Sequence, residues 1–161
     1  MSNHQIPDFE TDAEFLQLIQ PRVEKYIEDL EEDIFDHGCD EAICVWGNIL
    51  IDGHLRYSIC RKWDIHFNIR RLFFQSRDEA EAYICTEQLK RKDLTSEYKK
   101  YLIGRRFRAD MNIASADFLK NHPVDIVITD IKMPAADGLE VARFVHENHP
   151  MTKVIILTGY A

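Results

Sequence analysis

The sequence lacks any long hydrophobic run. A helix that spans a bilayer needs about 18 or more consecutive apolar residues, and no stretch of these 161 residues approaches that length. The N-terminal segment MSNHQIPDFETDAEF is acidic and has no basic stretch followed by an apolar one, so it does not read as a secretory signal. These absences predict a cytoplasmic protein with no membrane partner.

Motifs for zinc binding and thiol chemistry are also missing. The four cysteines form no CxxC pair, and the seven histidines form no HExxH and no Cys/His zinc pattern. Isolated thiols stay reduced in the cytoplasm. We therefore expect Cys60 and Cys85, which lie in apolar-periodic helical segments, to be buried small hydrophobic residues.

Charge is distributed unevenly along the chain, whose net charge is −8. Residues 1–53 carry 2 basic and 14 acidic side chains, residues 54–110 carry 14 and 8, and residues 111–161 carry 4 and 6. The whole chain is therefore a poor polyanion binder. The basic middle third is compatible with binding phosphates or a nucleic acid, and equally with packing beside the acidic first third.

Hydrophobic periodicity predicts an α+β fold in the first two thirds of the chain. An acidic helix ends at Gly38, a hairpin turns at residues 47–48, and a new helix follows Gly53. The strand IHFNIRRLFF then precedes two helices, one capped by Ser76 and one by Thr95.

The pattern changes near residue 110. DIVITD and VIILTG are typical of buried parallel strands, and a helix is predicted between them over residues 138–147. Strand, helix and strand make a short βαβ unit. We predict one domain over residues 1–110 and a βαβ fragment over residues 111–161.

The segment Asp52-Gly53-His54-Leu55-Arg56-Tyr57 reads as a strand end, a tight glycine and a helix start. Glycine permits close approach of a ligand to the backbone, and free N–H groups at a helix N-terminus attract an anion. Arg56 could hold a phosphate with two hydrogen bonds. Many ordinary strand-to-helix turns contain the same residue types, so the motif by itself leaves a purely structural role open.

ILIDGHLRYSIC and EAEAYICTEQLKRKDLTSEYKKYLIGRRF together resemble the N-terminal domain of ParB-like proteins over most of residues 12–108. The resemblance rests on two motifs: Gly-x-x-Arg, matched here by Gly53 and Arg56, and Glu-Asn-x-x-Arg, matched by Glu87-Gln88-Leu89-Lys90-Arg91. It implies CTP or another nucleotide as ligand, together with magnesium. Glu87 would face the metal, and the implied nucleotide-binding residues are Gly53, His54, Leu55, Arg56, Tyr57, Gln88 and Arg91.

Two residues depart from that family's pattern. Gln88 replaces an asparagine, and His54 stands where many partition proteins carry an acid, which bears on hydrolysis more than on binding. Any catalysis would be a weak CTPase activity. Sulfiredoxin, in the same superfamily, needs a cysteine at the position of His54, so a thiol-based reductase is not expected.

A third motif, in the C-terminal part of the chain, begins at Asp130, at the end of the first predicted parallel strand. Thr158 ends the next strand, so the carboxylate and the hydroxyl would lie side by side at one edge of the sheet. Such a pair can accept and stabilise a phosphoryl group. PVDIVITDIKMPAADGLEVARFV and KVIILTGYA resemble the receiver domain of bacterial response regulators, whose phosphoacceptor and switch hydroxyl match Asp130 and Thr158.

That resemblance covers only about residues 113–161. The acid pair of the family's first strand and the lysine of its fifth strand have no counterpart here, so magnesium and the phosphoryl charge would be poorly held. We therefore expect a partial receiver that does not act in a phosphorelay by itself, retained as a packing unit or left by truncation or fusion.

These readings predict a nucleotide-binding module of a DNA-associated, partition-type or regulatory protein, with CTP and magnesium as ligands. DNA would be contacted through a larger assembly, since receiver-like sequence occupies the place of the helix-turn-helix found in full ParB-like proteins. A homodimer or a protein partner is compatible with the sequence. The alternatives are a non-catalytic signalling protein that uses the receiver-like surface, and a small-molecule kinase supported by fold analogy alone.

Overall fold

The computed structural model describes residues 6–121, 124–130 and 138–157. The elements in these ranges are α1 (Ala13–Leu16), α2 (Glu24–His37), β1 (Cys39–Trp46), β2 (Ile49–Asp52), α3 (His54–Trp63), β3 (Phe67–Leu72), α4 (Arg77–Leu89), α5 (Ser96–Asn121), β4 (Ile126–Asp130), α6 (Gly138–Asn148) and β5 (Lys153–Leu157). This is the α+β organisation predicted from the sequence.

A three-stranded mixed sheet forms the centre of the first part of the chain, in the order β2-β1-β3. Strands β1 and β2 pair antiparallel around the predicted turn, where Gly47 has φ +59°. Strands β1 and β3 pair parallel, and α3 lies between β2 and β3 in the sequence. The hairpin and the crossover together bring the end of β2 and the start of α3 to one edge of the sheet.

The sheet is covered on both faces, because alternate side chains of a strand point to opposite sides. Ile43, Val45 and Leu50 join a core that includes residues of α2 and α3. Cys44 and Ile51 join a second core with residues of α1, α4 and α5. Two cores on one sheet hold α3 and α4 in fixed positions on either side of it.

All four cysteines are free and buried, as expected for Cys60 and Cys85. Burial raises the pKa of the Cys85 thiol to about 11, and burial with a neighbouring Cys39 raises that of Cys60 to about 12. Thiols with such high pKa values are poor nucleophiles. These residues therefore serve as small core side chains.

The predicted caps form. The Ser76 hydroxyl accepts a hydrogen bond from the Glu79 N–H at 3.2 Å, and the Thr95 hydroxyl accepts one from Tyr98 N–H at 3.2 Å. Helix α5 then continues without interruption across residue 110 to Asn121. The division of the chain into 1–110 and 111–161 remains a prediction.

The βαβ unit predicted near the C-terminus is confirmed: β4 and β5 pair in parallel, with α6 between them in the sequence. The expectation that its strands are buried is wrong. Ile126, Ile128, Ile155 and Leu157 are 45–62% exposed, whereas Thr129 and Val145 are buried. Helix α6 covers only one face of the two-stranded sheet, so the apolar side chains of the other face meet solvent.

None of the helices in the described part of the chain is both long and apolar enough to cross a membrane.

Candidate functional site

The N-terminus of α3 follows β2 through a single glycine. Gly53 is the N-cap residue with φ +87° and ψ +25°, a left-handed conformation that favours glycine. No side chain caps the helix there. The first backbone N–H groups of a helix have no intrahelical acceptor, so those of His54, Leu55 and Arg56 and the positive end of the helix dipole are available to an anion.

A cavity of about 600 Å³ lies at this helix start. Both predicted motifs line it, although they are more than 30 residues apart in the sequence. From the first come Gly53, His54, Leu55 and Arg56, and from the second come Glu87, Gln88 and Arg91. The remaining lining residues are Leu16, Ile19, Gln20, Pro21, Arg22, Tyr26, Leu30, Glu41 and Asp52. Both its volume and its mixed lining are typical of a small-molecule site.

Arg56 is held beside the cavity by two carboxylates. Its Nη1 donates to Glu41 Oε2 at 2.5 Å, and its Nη2 donates to Asp52 Oδ2 at 3.3 Å. Its Nε atom is buried and has no hydrogen-bond partner in the part of the chain that the structure describes. One N–H of the guanidinium is therefore left to be satisfied by a ligand oxygen.

His54 is the first residue of α3, and its ring is largely buried. Both Nδ1 and Nε2 are buried, and neither has a hydrogen-bond partner among the described residues. Burial lowers the pKa of the imidazole below 6.5, and the nearby Asp52 carboxylate offsets part of that effect. The ring is neutral at neutral pH, with one nitrogen able to donate and the other able to accept.

Arg91 reaches the cavity from the turn after α4, but its donors already have acceptors. Nη1 donates to the Gln20 carbonyl at 3.0 Å and to Gln88 Oε1 at 2.7 Å, while Nη2 donates to Asp93 at 2.8 Å. Arg91 and Arg22 together hold the pKa of Asp93 well below its ordinary value. Arg91 therefore fastens the second motif to the loop before α2 while it adds positive charge to the cavity wall.

Glu87 is partly exposed, and its Oε1 accepts a hydrogen bond from Lys90 at 2.6 Å. Glu41 and Asp52 supply two further carboxylates to the lining. No group of three or more metal-ligating side chains is found among the described residues. Magnesium needs only one or two carboxylates when phosphate oxygens complete its shell, so this donor set fits magnesium bound with a ligand better than magnesium alone.

Tyr57 is the one residue of the first motif that does not line the cavity. Its ring is in the core, where its hydroxyl accepts from the Phe9 N–H at 2.8 Å and donates to the Pro7 carbonyl at 3.2 Å. In this position Tyr57 links the N-terminal segment to α3, and its side chain is not part of the cavity wall.

The motifs did not identify Glu41, Arg22 and Tyr26 as lining residues. The Arg22 guanidinium stacks 4.3 Å from the centroid of the Tyr26 ring and also pairs with Asp93. Glu41 comes from β1, which pairs with β2 in the sheet, and it lies 15 residues before Arg56 in the sequence. Nothing local distinguishes these residues, since their role depends on tertiary packing.

Asp130 ends β4, as predicted, and is paired in register with Leu157 at the end of β5. Its predicted partner Thr158 and the residues 131–137 after it lie outside the described residues. The juxtaposition of Asp130 and Thr158 stays a prediction.

Solved structures with a similar fold are ParB-N domains. A Pnob8-like ParB-N domain in its C2221 crystal form aligns with a TM-score of 0.54 and 21% identity, over 91% of this chain and 61% of that one. A pNOB8-like ParB N-domain aligns with a TM-score of 0.53 and 20% identity, over 89% and 55%. At about 20% identity, this similarity shows a shared fold and nothing further.

The C-terminal half matches the response regulator receiver domain family over residues 87–161. The response regulator protein PilR of Pseudomonas aeruginosa is 32% identical over 54 residues, or 33% of this chain and 12% of PilR. The receiver protein CpdR of Brucella abortus is 36% identical over 52 residues, or 32% of this chain and 43% of CpdR. The chain thus spans less than half of either relative.

These comparisons agree with both resemblances seen in the sequence. The chain has the fold of a ParB N-domain, and its C-terminal residues are similar in sequence to part of a response regulator receiver domain.

Proposed function

We propose that this chain binds a nucleotide, CTP with magnesium, in the cavity between the start of α3 and the end of α4. The phosphates of the nucleotide would accept hydrogen bonds from the backbone N–H groups that follow Gly53. The observation that carries this proposal is a cluster of three buried nitrogen atoms without partners at that helix start: Nδ1 and Nε2 of His54 and Nε of Arg56.

Buried polar atoms are nearly always hydrogen-bonded, because desolvating one without a partner costs about 1–3 kcal/mol. Three such atoms beside one cavity indicate a site made for a polar ligand. The uncapped N-terminus of α3 favours an anion, and Arg56 can bind it with a charge-assisted hydrogen bond. Phosphate oxygens can accept from the helix N–H groups, from Arg56 Nε and from the protonated nitrogen of His54, while the other ring nitrogen needs a donor group of the ligand.

A nucleotide suits the cavity better than a lone phosphate does. Leu16, Ile19 and Pro21 give part of the wall an apolar character, and the exposed Tyr26 ring carries the stacked Arg22 guanidinium. An apolar wall beside a polar helix start matches a ligand with a flat base at one end and phosphates at the other.

The cavity lining is close to neutral, with three arginines and three carboxylates. Arg56 is paired with Glu41 and Asp52, so phosphates compete with these carboxylates for its guanidinium. Bound magnesium would offset the phosphate charge beside Glu87 and the other carboxylates. We therefore expect tight binding only when magnesium accompanies the nucleotide.

Calorimetric titration of the whole chain with CTP, ATP and GTP, with and without magnesium, tests the proposal. Arg56→Ala removes a charge-assisted hydrogen bond and should weaken binding roughly ten- to a hundredfold. Arg108→Ala is the matched control, since Arg108 does not line the cavity. The proposal is wrong if no nucleotide binds below about millimolar concentration, or if Arg56→Ala binds like the parent.

The ParB N-domain fold combined with receiver-like sequence suggests a DNA-associated regulator. NtrC of Klebsiella pneumoniae, described as a DNA-binding transcriptional regulator, is 38% identical over 45 residues, which are 10% of its length. We propose that this chain reaches DNA through a larger assembly, because its net charge of −8 gives little attraction to phosphate backbones.

A non-catalytic interaction protein is the second candidate. The exposed apolar face of β4 and β5 favours it, since contiguous apolar surface often marks a protein contact. Calorimetry separates the two: an interaction protein would bind no nucleotide, and Arg56→Ala would leave its partner binding unchanged.

A further inference from the structure

His54 has one hydrogen-bonding atom that an ionised phosphate cannot satisfy. Its Nδ1 and Nε2 are both buried and have no partner among the described residues. A neutral imidazole carries its proton on one nitrogen and a lone pair on the other. An ionised phosphate oxygen accepts the hydrogen bond from the first nitrogen, but it has no proton to donate to the second.

The imidazole is neutral at neutral pH because the protein surrounds it. Burial lowers its pKa, and the nearby Asp52 carboxylate offsets only part of that effect. Asp52 is paired with Arg56 at 3.3 Å, and neither ring nitrogen is bonded to it. The ring therefore keeps a lone pair, and this lone pair needs a donor.

The guanidinium groups of the cavity wall are already engaged and do not supply this donor. Arg22 and Arg91 pair with Asp93, and Arg56 pairs with carboxylates from β1 and β2. Bulk water does not supply it either, because both nitrogens of His54 are shielded from solvent. A ligand has to shift the side chains around the ring to reach them, and it then brings its own donor to a site closed to water.

A nucleotide carries its nearest O–H donors on the sugar. The ribose is joined directly to the phosphate chain, and each of its hydroxyls can donate one hydrogen bond. The amino group of cytosine is also a donor, but it lies at the far end of the ligand. His54 directly follows Gly53 and is the first residue of the helix that faces the phosphates, so a donor beside the phosphates suits it best.

From these two requirements we propose that His54 selects a ribonucleotide: one ring nitrogen donates to a phosphate oxygen, and the other accepts from a ribose hydroxyl. This inference rests on the nucleotide binding proposed above and adds the class of sugar. A nucleotide without the hydroxyls leaves a buried lone pair without a donor. A site made to hydrogen-bond a hydroxyl discriminates against an analogue that lacks it, because its own polar group then stays unpaired.

Calorimetric titration with magnesium at pH 8, where the ring is neutral, tests the selection. The two ligands are CTP and 2′,3′-dideoxy-CTP, which has the same base and phosphates but no sugar hydroxyl. We expect the dideoxynucleotide to bind about five- to a hundredfold more weakly. His54→Phe removes both ring nitrogens and should make the two affinities similar. His37→Phe makes the same change at an exposed histidine outside the cavity and should keep the full difference.

Nitrogen NMR of the histidine rings gives a readout in the parent chain itself. With CTP, the unprotonated ring nitrogen of one histidine should shift upfield, because it accepts a hydrogen bond, and 2′,3′-dideoxy-CTP should not produce this shift. That signal decides the matter if His54→Phe binds neither ligand.

Equal binding of the two nucleotides to the parent chain overturns the selection but leaves the nucleotide site in place. An undiminished preference for CTP in His54→Phe assigns the selection to another residue and also overturns the proposal. If CTP itself does not bind, the proposed function fails, and this inference fails with it.

Discussion

The guanidinium of Arg56 lies across the backbone of Gly53: Nη2 is 3.1 Å from the position that a Cβ at residue 53 would occupy. Ile43 Cδ1 is 3.0 Å from the same position. The glycine therefore serves two purposes. It adopts φ +87° without strain, and it allows an arginine to lie against the start of α3.

Replacing this glycine should cost stability as well as binding. Gly53→Ala forces a Cβ into the left-handed region, at about 1–2 kcal/mol, and crowds Ile43 and Arg56 besides. Gly47→Ala is the matched control, because Gly47 also has positive φ but nothing lies within 4 Å of its Cβ position. Urea unfolding should show Gly53→Ala to be less stable than Gly47→Ala by about 1 kcal/mol or more. Equal losses would mean that crowding at residue 53 is unimportant.

His54 should titrate below its ordinary range. Its ring is neutral because burial lowers its pKa below 6.5. Between that lowered pKa and 6.5 the unfolded chain binds the proton more readily, so stability should fall as the pH drops below about 6.5. His54→Asn should remove this part of the pH dependence.

Histidine side-chain NMR, with His54→Asn for assignment, gives the titration midpoint directly. Added nucleotide should move the midpoint upward, because phosphate oxygens stabilise the imidazolium. A midpoint above 6.5 in the free protein would contradict the burial argument. A midpoint that bound nucleotide does not change would show that His54 does not contact the phosphates.

Glu41 should oppose nucleotide binding when magnesium is absent. Its exposed carboxylate pairs with the mostly buried guanidinium of Arg56, and a phosphate must displace it. An exposed pair is worth about 0–1 kcal/mol, so Glu41→Gln should tighten metal-free binding by up to about fivefold. Glu97→Gln makes the same change away from the cavity. Weaker metal-free binding of Glu41→Gln would show that this carboxylate helps the ligand.

The start of α3 was predicted correctly because the residues that determine it are close together in the sequence. A β-strand, a glycine with positive φ and an uncapped helix all lie within a few residues of Gly53. The pairing of the two motifs came from family resemblance. The contacts of Arg91 with Gln20, and of Arg56 with Glu41, join elements distant in the sequence, and no periodicity reveals them.

Two structural features could not be inferred from the local sequence, for physical reasons. Tyr57 adjoins the motif, but successive helical residues point in directions about 100° apart, and its ring turns into the core. Ile128 and Ile155 lie in strands whose apolar composition is typical of buried strands, yet composition does not say whether a second layer covers them. Burial depends on the neighbouring elements, and α6 covers one face alone.

The receiver-like part of this chain should not accept a phosphoryl group. No adjacent acid pair precedes Asp130 in residues 113–129, and the described residues contain no cluster suited to a metal ion. Incubation with acetyl phosphate and magnesium, followed by intact mass spectrometry, should leave the mass of the 161-residue chain unchanged. A stoichiometric adduct that disappears in Asp130→Asn would show that the site is competent without those groups.

Amide chemical-shift mapping with CTP and magnesium tests the central claim most directly, because it reports which residues meet the ligand. The account predicts the largest shifts at residues 53–56 and 87–91 together, saturating along one binding curve, with small shifts at the exposed Phe107 and Phe118 of α5. Arg56→Ala should reduce both sets of shifts in parallel, while Arg108→Ala should not. Shifts confined to one motif, or absent at millimolar nucleotide, would contradict a single nucleotide site made from both.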